Sequence, residues 1–337
     1  MDDIAIDRNY PPVFFVGMNG SGTTMLLESM GRHPDLYAFP RETKIIPYLI
    51  SSIDQFGSLE DDNNFLSLWN YLCNYPIFIK ANSGVPLSVP KNWCQYPREL
   101  ASVINAVFKY FSAQEGKLMW GEKTPQHIQH LPALHRLFPE AKFVHIIRDG
   151  RDCAASLKRR YQRTPELSIY RWKNIVKEGR TQGSKLSGLY IEVRYEYLTS
   201  NPEYWMKTIC SFLDLPFSPE VLVSRRPKSG STVELGHADS GISSNTGKWK
   251  KQFSRKQQLK LEAIAGNYLT ELDYPVYNTQ GNLSPSAVKF MCWKWADFMR
   301  ELCSVVKRKY RTNRGLNWAN LFHRVNVAIK QSKSNRY

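Results

Sequence analysis

The chain has 337 residues, 42% hydrophobic and 13% aromatic, with 46 Lys and Arg against 30 Asp and Glu for a net charge of +16. That composition gives ample material for a packed core and excludes a disordered chain, a fibrous repeat or a disulfide-stapled mini-protein. The longest apolar runs, such as residues 13–16, fall far short of the ~20 residues that span a bilayer. The chain opens on Met1-Asp2-Asp3 rather than on a basic segment and an apolar run, so neither a signal peptide nor an N-terminal anchor is expected, and the expected location is the cytoplasm.

In chain order, Pro11-Pro12 introduces Val13-Phe14-Phe15-Val16, a buried strand by its β propensity. The strand ends in Gly17-Met18-Asn19-Gly20-Ser21-Gly22-Thr23-Thr24. Helical spacing of Met25, Leu26, Ser29 and Met30 follows. Residues 43–115 read as mainly helical, interrupted by a Pro- and Asn-rich stretch at 86–97. Lys117–Trp120 reads as a short strand, and Thr124 as the cap of a helix with Pro125 at its first position. Lys142–Ile147 is a second clear strand. It turns through Arg148-Asp149-Gly150-Arg151 into a helix carrying Ala154, Ala155 and Leu157. Leu189–Val193 is a third strand, and Asn201-Pro202 starts a further helix. Residues 224–250 read as a long Ser-, Gly- and Lys-rich loop, 255–273 as a helix, and the tail as two helices near 286–308 and 316–332.

Strands alternating with helices predict an α/β fold: a P-loop-like, three-layer domain with a central, mostly parallel sheet flanked by helices. Ligands of such sheets bind beyond the carboxyl ends of the strands. The division expected is a body over 1–284 and a basic helical extension over 285–337. The extension holds 12 Lys and Arg against two acids, so +10 of the +16 lies there and +6 in the body. The excess implies an anionic partner and leaves nucleic acid, anionic lipid and a phosphorylated small ligand open. Nucleic acid is the least expected, since no nucleic-acid motif is present. The six cysteines, Cys73, Cys94, Cys153, Cys210, Cys292 and Cys303, form no C-x-x-C pair and read as reduced thiols. No metal site is expected.

Two strand ends carry chemistry. A glycine turn between strand and helix aims backbone N–H groups at one spot, where the helix N-terminus adds positive potential, which suits a phosphate. The turn has the length of a nucleotide P-loop, but Thr23 stands where a P-loop kinase places its lysine, which argues against a kinase or ATPase. At the second strand end, Arg148 and Ser156 can bracket a second phosphate with a guanidinium and a hydroxyl. Two anion sites on one sheet suggest a nucleotide with separate 5′ and 3′ phosphates.

On these residues the sequence resembles the sulfotransferases that use 3′-phosphoadenosine-5′-phosphosulfate (PAPS). The matching stretches are Ser21-Gly22-Thr23-Thr24, Ile147-Arg148-Asp149-Gly150-Arg151 with Ser156, and Gly247-Lys248-Trp249-Lys250. The branch containing the tyrosine sulfotransferases and related bacterial enzymes adds His33-Pro34-Asp35, residues 42–47, Arg194-Tyr195-Glu196 and Asn201-Pro202-Glu203. The order fits across residues 13–275. The resemblance implies that Asn19, Gly20 and Ser21 to Thr24 hold the 5′-phosphosulfate, and Arg148 and Ser156 the 3′-phosphate. It implies that Tyr195 and Lys248 close over the nucleotide with Trp249 near the adenine. Glu42 matches the catalytic base of the tyrosine branch, with His127 as the competing base, and Lys123 matches a lysine that assists transfer. The acceptor implied carries a hydroxyl, a carbohydrate first and a tyrosine second.

One departure stands out. Much of the family has an Arg or Lys where this chain has Gly20, so Lys44, Arg41, Lys123 or an acceptor-side group must replace the cation for the chain to be active. The rival reading is a catalytically silent nucleotide- or polyanion-binding protein on the same scaffold. In the tail, Val288, Met291, Cys292, Trp295, Met299, Leu302 and Val306 recur at helical spacing among Lys and Arg. That pattern suits packing on the body or docking on the anionic inner face of a membrane.

Overall fold

The double proline holds the chain extended as it enters β1 (Val13–Gly17), whose five residues are all buried. An apolar run without alternation is what a parallel strand covered on both faces requires. The structure, a computed structural model, describes residues 10–223, 242, 244–277 and 283–311, with backbone alone over 304–311. The other strands are β2 (Leu36–Ala38), β3 (Met119–Glu122), β4 (Lys142–Ile147) and β5 (Tyr190–Arg194). They form one parallel sheet in the order β2-β3-β1-β4-β5. Phe14 lies opposite Glu122 on one side and Phe143 on the other.

The helices are α1 (Thr23–Met30), α2 (Ile45–Ser52), α3 (Asp62–Cys73), α4 (Pro76–Ala81), α5 (Leu100–Gln114), α6 (Leu131–Leu137) and α7 (Gly150–Tyr161). They continue with α8 (Pro165–Gly183), α9 (Tyr195–Ser200), α10 (Pro202–Phe212), α11 (Lys248–Gln252), α12 (Arg255–Ala265) and α13 (Ala287–Arg311). Local chemistry sets several starts. Asp149 caps α7 by accepting from the Arg151 N–H, Asn201 caps α10 through the Tyr204 N–H, and Ser254 with Gln257 forms a capping box on α12.

The α/β expectation holds. Alternate residues of β1 point to opposite layers. Phe14 and Val16 join the aromatic layer under α2–α6, where Phe108 stacks on Trp120 with centroids 4.2 Å apart. Val13 and Phe15 join Val144, Ile146 and Val193 against α1 and α10. A third cluster packs α7, α8 and α12 around Trp172 and Trp249.

Several elements differ from the sequence reading. β3 starts two residues later than expected, and β2 and the 19-residue α8 were not anticipated. Thr124 opens a 3-10 turn (Pro125–His130) rather than an α-helix. Its hydroxyl caps nothing because it donates to Glu122 Oε1 at 2.5 Å. The helix expected over 255–273 ends at Ala265 and continues as two 3-10 turns. Of the loop expected over 224–250, residues 224–241 and 243 lie outside the described residues, and 248–250 belong to α11. The helix expected near 286–308 is α13, while that near 316–332 lies outside the described residues.

Candidate active site

Because all five strands run the same way, their carboxyl ends share one edge, and every residue singled out from the sequence except Trp249, Lys248, Ser156 and His127 follows a strand there directly. The glycine loop follows β1, the Glu42 segment β2, Lys123 β3, Arg148 β4 and Tyr195 β5. The chain leaves β1 for one side of the sheet and later crosses to β4 on the other. The loop therefore stands at the point where strand order reverses, the usual position of a ligand crevice.

The loop is tight. The Ser21 N–H donates to the Met18 carbonyl at 3.0 Å, and the first-turn amides of α1 have no acceptor within the helix. Gly20 and Gly22 have φ of +91° and +110°, where side chains strain the backbone. A Cβ on Gly22 would come within 2.6 Å of the Tyr195 ring, and one on Gly20 within 3.4 Å of the Cys153 carbonyl in α7. The positive φ of Gly20 favours glycine at that position, while a Cβ there would make only ordinary contact with α7. Ser21 is 1% exposed and its hydroxyl has no hydrogen-bond partner among the described residues. A buried, unpaired hydroxyl beside free amides fits an oxyanion.

Arg148 emerges from β4 into the same place. It donates from one terminal nitrogen to the Gly20 carbonyl at 2.9 Å and from the other to the Asn245 carbonyl, and it lies over the Tyr195 ring at 4.4 Å. Its Nε and the Ser156 hydroxyl are buried without partners among the described residues. Arg148 and Ser156 are therefore brought together with Ser21 and Tyr195, and the residues fit a second anion beside the first.

The segment after Asn245 is tied down by Asp152, which accepts from the Gly247 and Trp249 N–H groups at 2.7 and 3.1 Å. Burial pushes the Asp152 carboxyl above its ordinary range, against the lowering effect of Arg148. Trp249 is 2% exposed, and Arg151, ion-paired to Asp149 and Glu262, lies over its ring at 4.0 Å. The indole thereby anchors the segment. Lys248 is exposed at the start of α11.

Across β1, on the β2–β3 side, Lys123 Nζ lies 2.8 Å from Glu42 Oε1, and Lys44 Nζ 3.6 Å from Glu42 Oε2. Lys123 is 7% exposed, whereas Glu42 keeps about a third of its side chain open. Beneath this pair lies a group that sequence reasoning missed. Glu122 is fully buried; its Oε1 accepts from the Thr43 N–H, the Thr43 hydroxyl and the Thr124 hydroxyl at 3.0, 3.0 and 2.5 Å. His127 Nδ1 stands 3.0 Å from its other oxygen. Burial alone would raise the Glu122 carboxyl, but the His127 ring and the hydroxyl donors outweigh it and hold the group below its ordinary range. Glu122 thereby staples the segments bearing Glu42 and Lys123. The available signal was its place between Gly121 and Lys123 at a strand end.

His127 is wholly buried, with Nδ1 3.0 Å from Glu122 Oε2 and its ring edge-on to Phe14 at 5.7 Å. Of the two candidate bases, Glu42 is the one whose side chain is partly open to solvent.

Two groups of buried, unpaired polar atoms that fit oxyanions and a carboxylate–lysine pair thus lie along one edge of the parallel sheet. The family profile described as "Sulfotransferase family" matches residues 11–219, more than half of the chain, and the chain belongs to that family. It is 26% identical over 223 residues to protein-tyrosine sulfotransferase 1 of Danio rerio, covering 64% of this chain and 56% of that one. It is also 26% identical over 294 residues to a Caenorhabditis briggsae protein with a provisional protein-tyrosine sulfotransferase name, covering 82% of this chain and 94% of that one. In fold it resembles the sulfotransferase domain of the Synechococcus olefin synthase, at 20% identity and a TM-score of 0.54, over 80% of this chain and 98% of that domain. The chain thus spans little more than half of the fish relative and nearly all of the nematode one.

Proposed function

We propose that the chain transfers a sulfuryl group from PAPS to a hydroxyl acceptor. The observation that carries this reading is the meeting, at one sheet edge, of buried unpaired Ser21, Ser156 and Arg148 atoms with the Glu42–Lys123 pair across β1. The loop amides and Ser21 bind the 5′-phosphosulfate, and Arg148 with Ser156 binds the 3′-phosphate. As the acceptor oxygen bonds to sulfur and the sulfur–oxygen bond to the 5′-phosphate breaks, Glu42 takes the acceptor proton. Lys123 and the amides stabilise charge on the transferring and leaving oxygens, which is the main demand of such in-line transfers. Lys44 and Lys123 supply the cations that Gly20 does not.

The names of the relatives make a protein tyrosine the first acceptor to test, and a carbohydrate hydroxyl is the second. Calorimetry with 3′-phosphoadenosine-5′-phosphate (PAP) should give micromolar binding that is lost in Arg148→Ala. No binding by folded wild type would defeat the donor site. Transfer from labelled PAPS to tyrosine peptides and glycans then reads the acceptor. Binding without any turnover, in wild type as in Glu42→Gln, would favour the silent nucleotide-binding reading instead.

A further inference from the structure

Surface helices ordinarily turn an apolar stripe inward and a polar face to water. α13 packs Trp293 and Phe290 towards the body and carries a second apolar stripe outward. It is attached to the start of α8 through Asp297, which is 4% exposed and whose Oδ1 accepts from both the N–H and the hydroxyl of Thr164 at 2.7 Å. Arg300 lies 3.2 Å from the same oxygen, Arg163 pairs with Glu301 at 2.8 Å, and Phe290 packs on Tyr170 at 5.3 Å. Residues 290, 297 and 301 fall on one side of the helix at its 3.6-residue period. On the other side Val288, Met291, Trp295 and Met299, spaced three, four and four residues apart, are 72%, 51%, 59% and 45% exposed.

Lys289 flanks that stripe in the open on one edge, and Lys294 flanks the other with Nζ over the Phe290 ring at 4.7 Å. The same helix continues through Lys307, Arg308, Lys309 and Arg311, within the stretch that holds most of the excess charge of the chain. No helix among the described residues is long and apolar enough to cross a membrane. An outward apolar stripe with Trp and Met, edged by cations, has the form of a helix lying in the plane of a lipid interface. We propose that the outer face of α13 docks the protein on an anionic membrane surface, the stripe entering the headgroup region and the cations meeting acidic lipids. Cations on both edges of the stripe complement an acidic lipid surface, and an acidic protein partner instead would leave vesicles unbound.

The test is sedimentation of the full chain with vesicles of phosphatidylcholine alone or with phosphatidylserine. Wild type should partition about tenfold or more better to the acidic vesicles, and lose that advantage in high salt. Met291→Glu with Trp295→Glu should bind at least about tenfold more weakly, while its thermal unfolding and PAP binding stay at wild-type values, because neither side chain packs on the body. Lys289→Glu with Lys294→Glu should remove the preference for acidic lipid. No vesicle binding by wild type, or equal binding by the Met291/Trp295 variant, overturns the proposal. So does a concentration-dependent dimer that the variant abolishes while vesicle binding is absent, which would make the stripe a self-association face. Since PAP binding is read separately, failure here leaves the sulfotransferase reading standing.

Discussion

The two halves of the site hold their key groups in different ways. On the β1–β4–β5 side, the Ser21 and Ser156 hydroxyls and Arg148 Nε are buried without hydrogen-bond partners among the described residues. On the β2–β3 side the two carboxylates have partners: Glu42 pairs with Lys123 and Lys44, and Glu122 Oε1 accepts from Thr43 and Thr124, while Glu122 Oε2 stands 3.0 Å from His127 Nδ1 without a hydrogen bond among the described residues. An unpaired buried donor costs free energy that only a ligand recovers. A paired carboxylate needs no ligand to persist, but must exchange a partner to work. The β1–β4–β5 half is therefore prepared for an anion, and the β2–β3 half holds its carboxylates in position.

The comparison breaks most readily at Glu42. Glu42→Gln should lower kcat by about 10² or more while PAP affinity, measured by calorimetry, stays near normal. Arg148→Ala should do the opposite, weakening PAP binding by about 100-fold through the loss of charge-assisted hydrogen bonds. Glu122→Gln sharpens the contrast further. It should destabilise the protein by about 1–3 kcal/mol, since Thr43, Thr124 and His127 lose a buried charge, and lower kcat with little change in PAP affinity.

The same residue fixes a pH dependence. A carboxyl held lower in the folded state than its ordinary 4.5 binds fewer protons folded than unfolded. Its stabilisation is therefore present above that value and lost as pH falls below it. Thermal unfolding of wild type should steepen its decline there, and Glu122→Gln should flatten that part of the curve. The smallest effect belongs to Asp297→Ala, which should cost about 1 kcal/mol and speed amide exchange at Thr164 without touching kcat.

What the sequence made legible were features written in contiguous residues. The apolar runs of β1 and β4 and the glycine loop need no distant partner to be recognised. β2 is three residues long, too short for a period to show, and exists by pairing with β3. Thr124 carries every local sign of a helix cap, yet a buried carboxylate two residues earlier claims its hydroxyl. For His127 and Trp249 the residue type was legible, whereas their burial against Glu122 and Arg151 is set by the fold. In α13 the spacing of the stripe was visible, whereas the side that faces the body depends on Asp297 meeting Thr164, 133 residues away in sequence.

The central place of β1 has an evolutionary consequence. One strand is the common wall of both halves, with β4 and β5 beyond it on one side and β3 and β2 on the other. On the proposed function, changes in the segments after β2 and β3 would alter which molecule is modified while the residues assigned to the phosphates stay as they are. A lineage built on this sheet would then diversify its products on one flank and keep a single donor on the other.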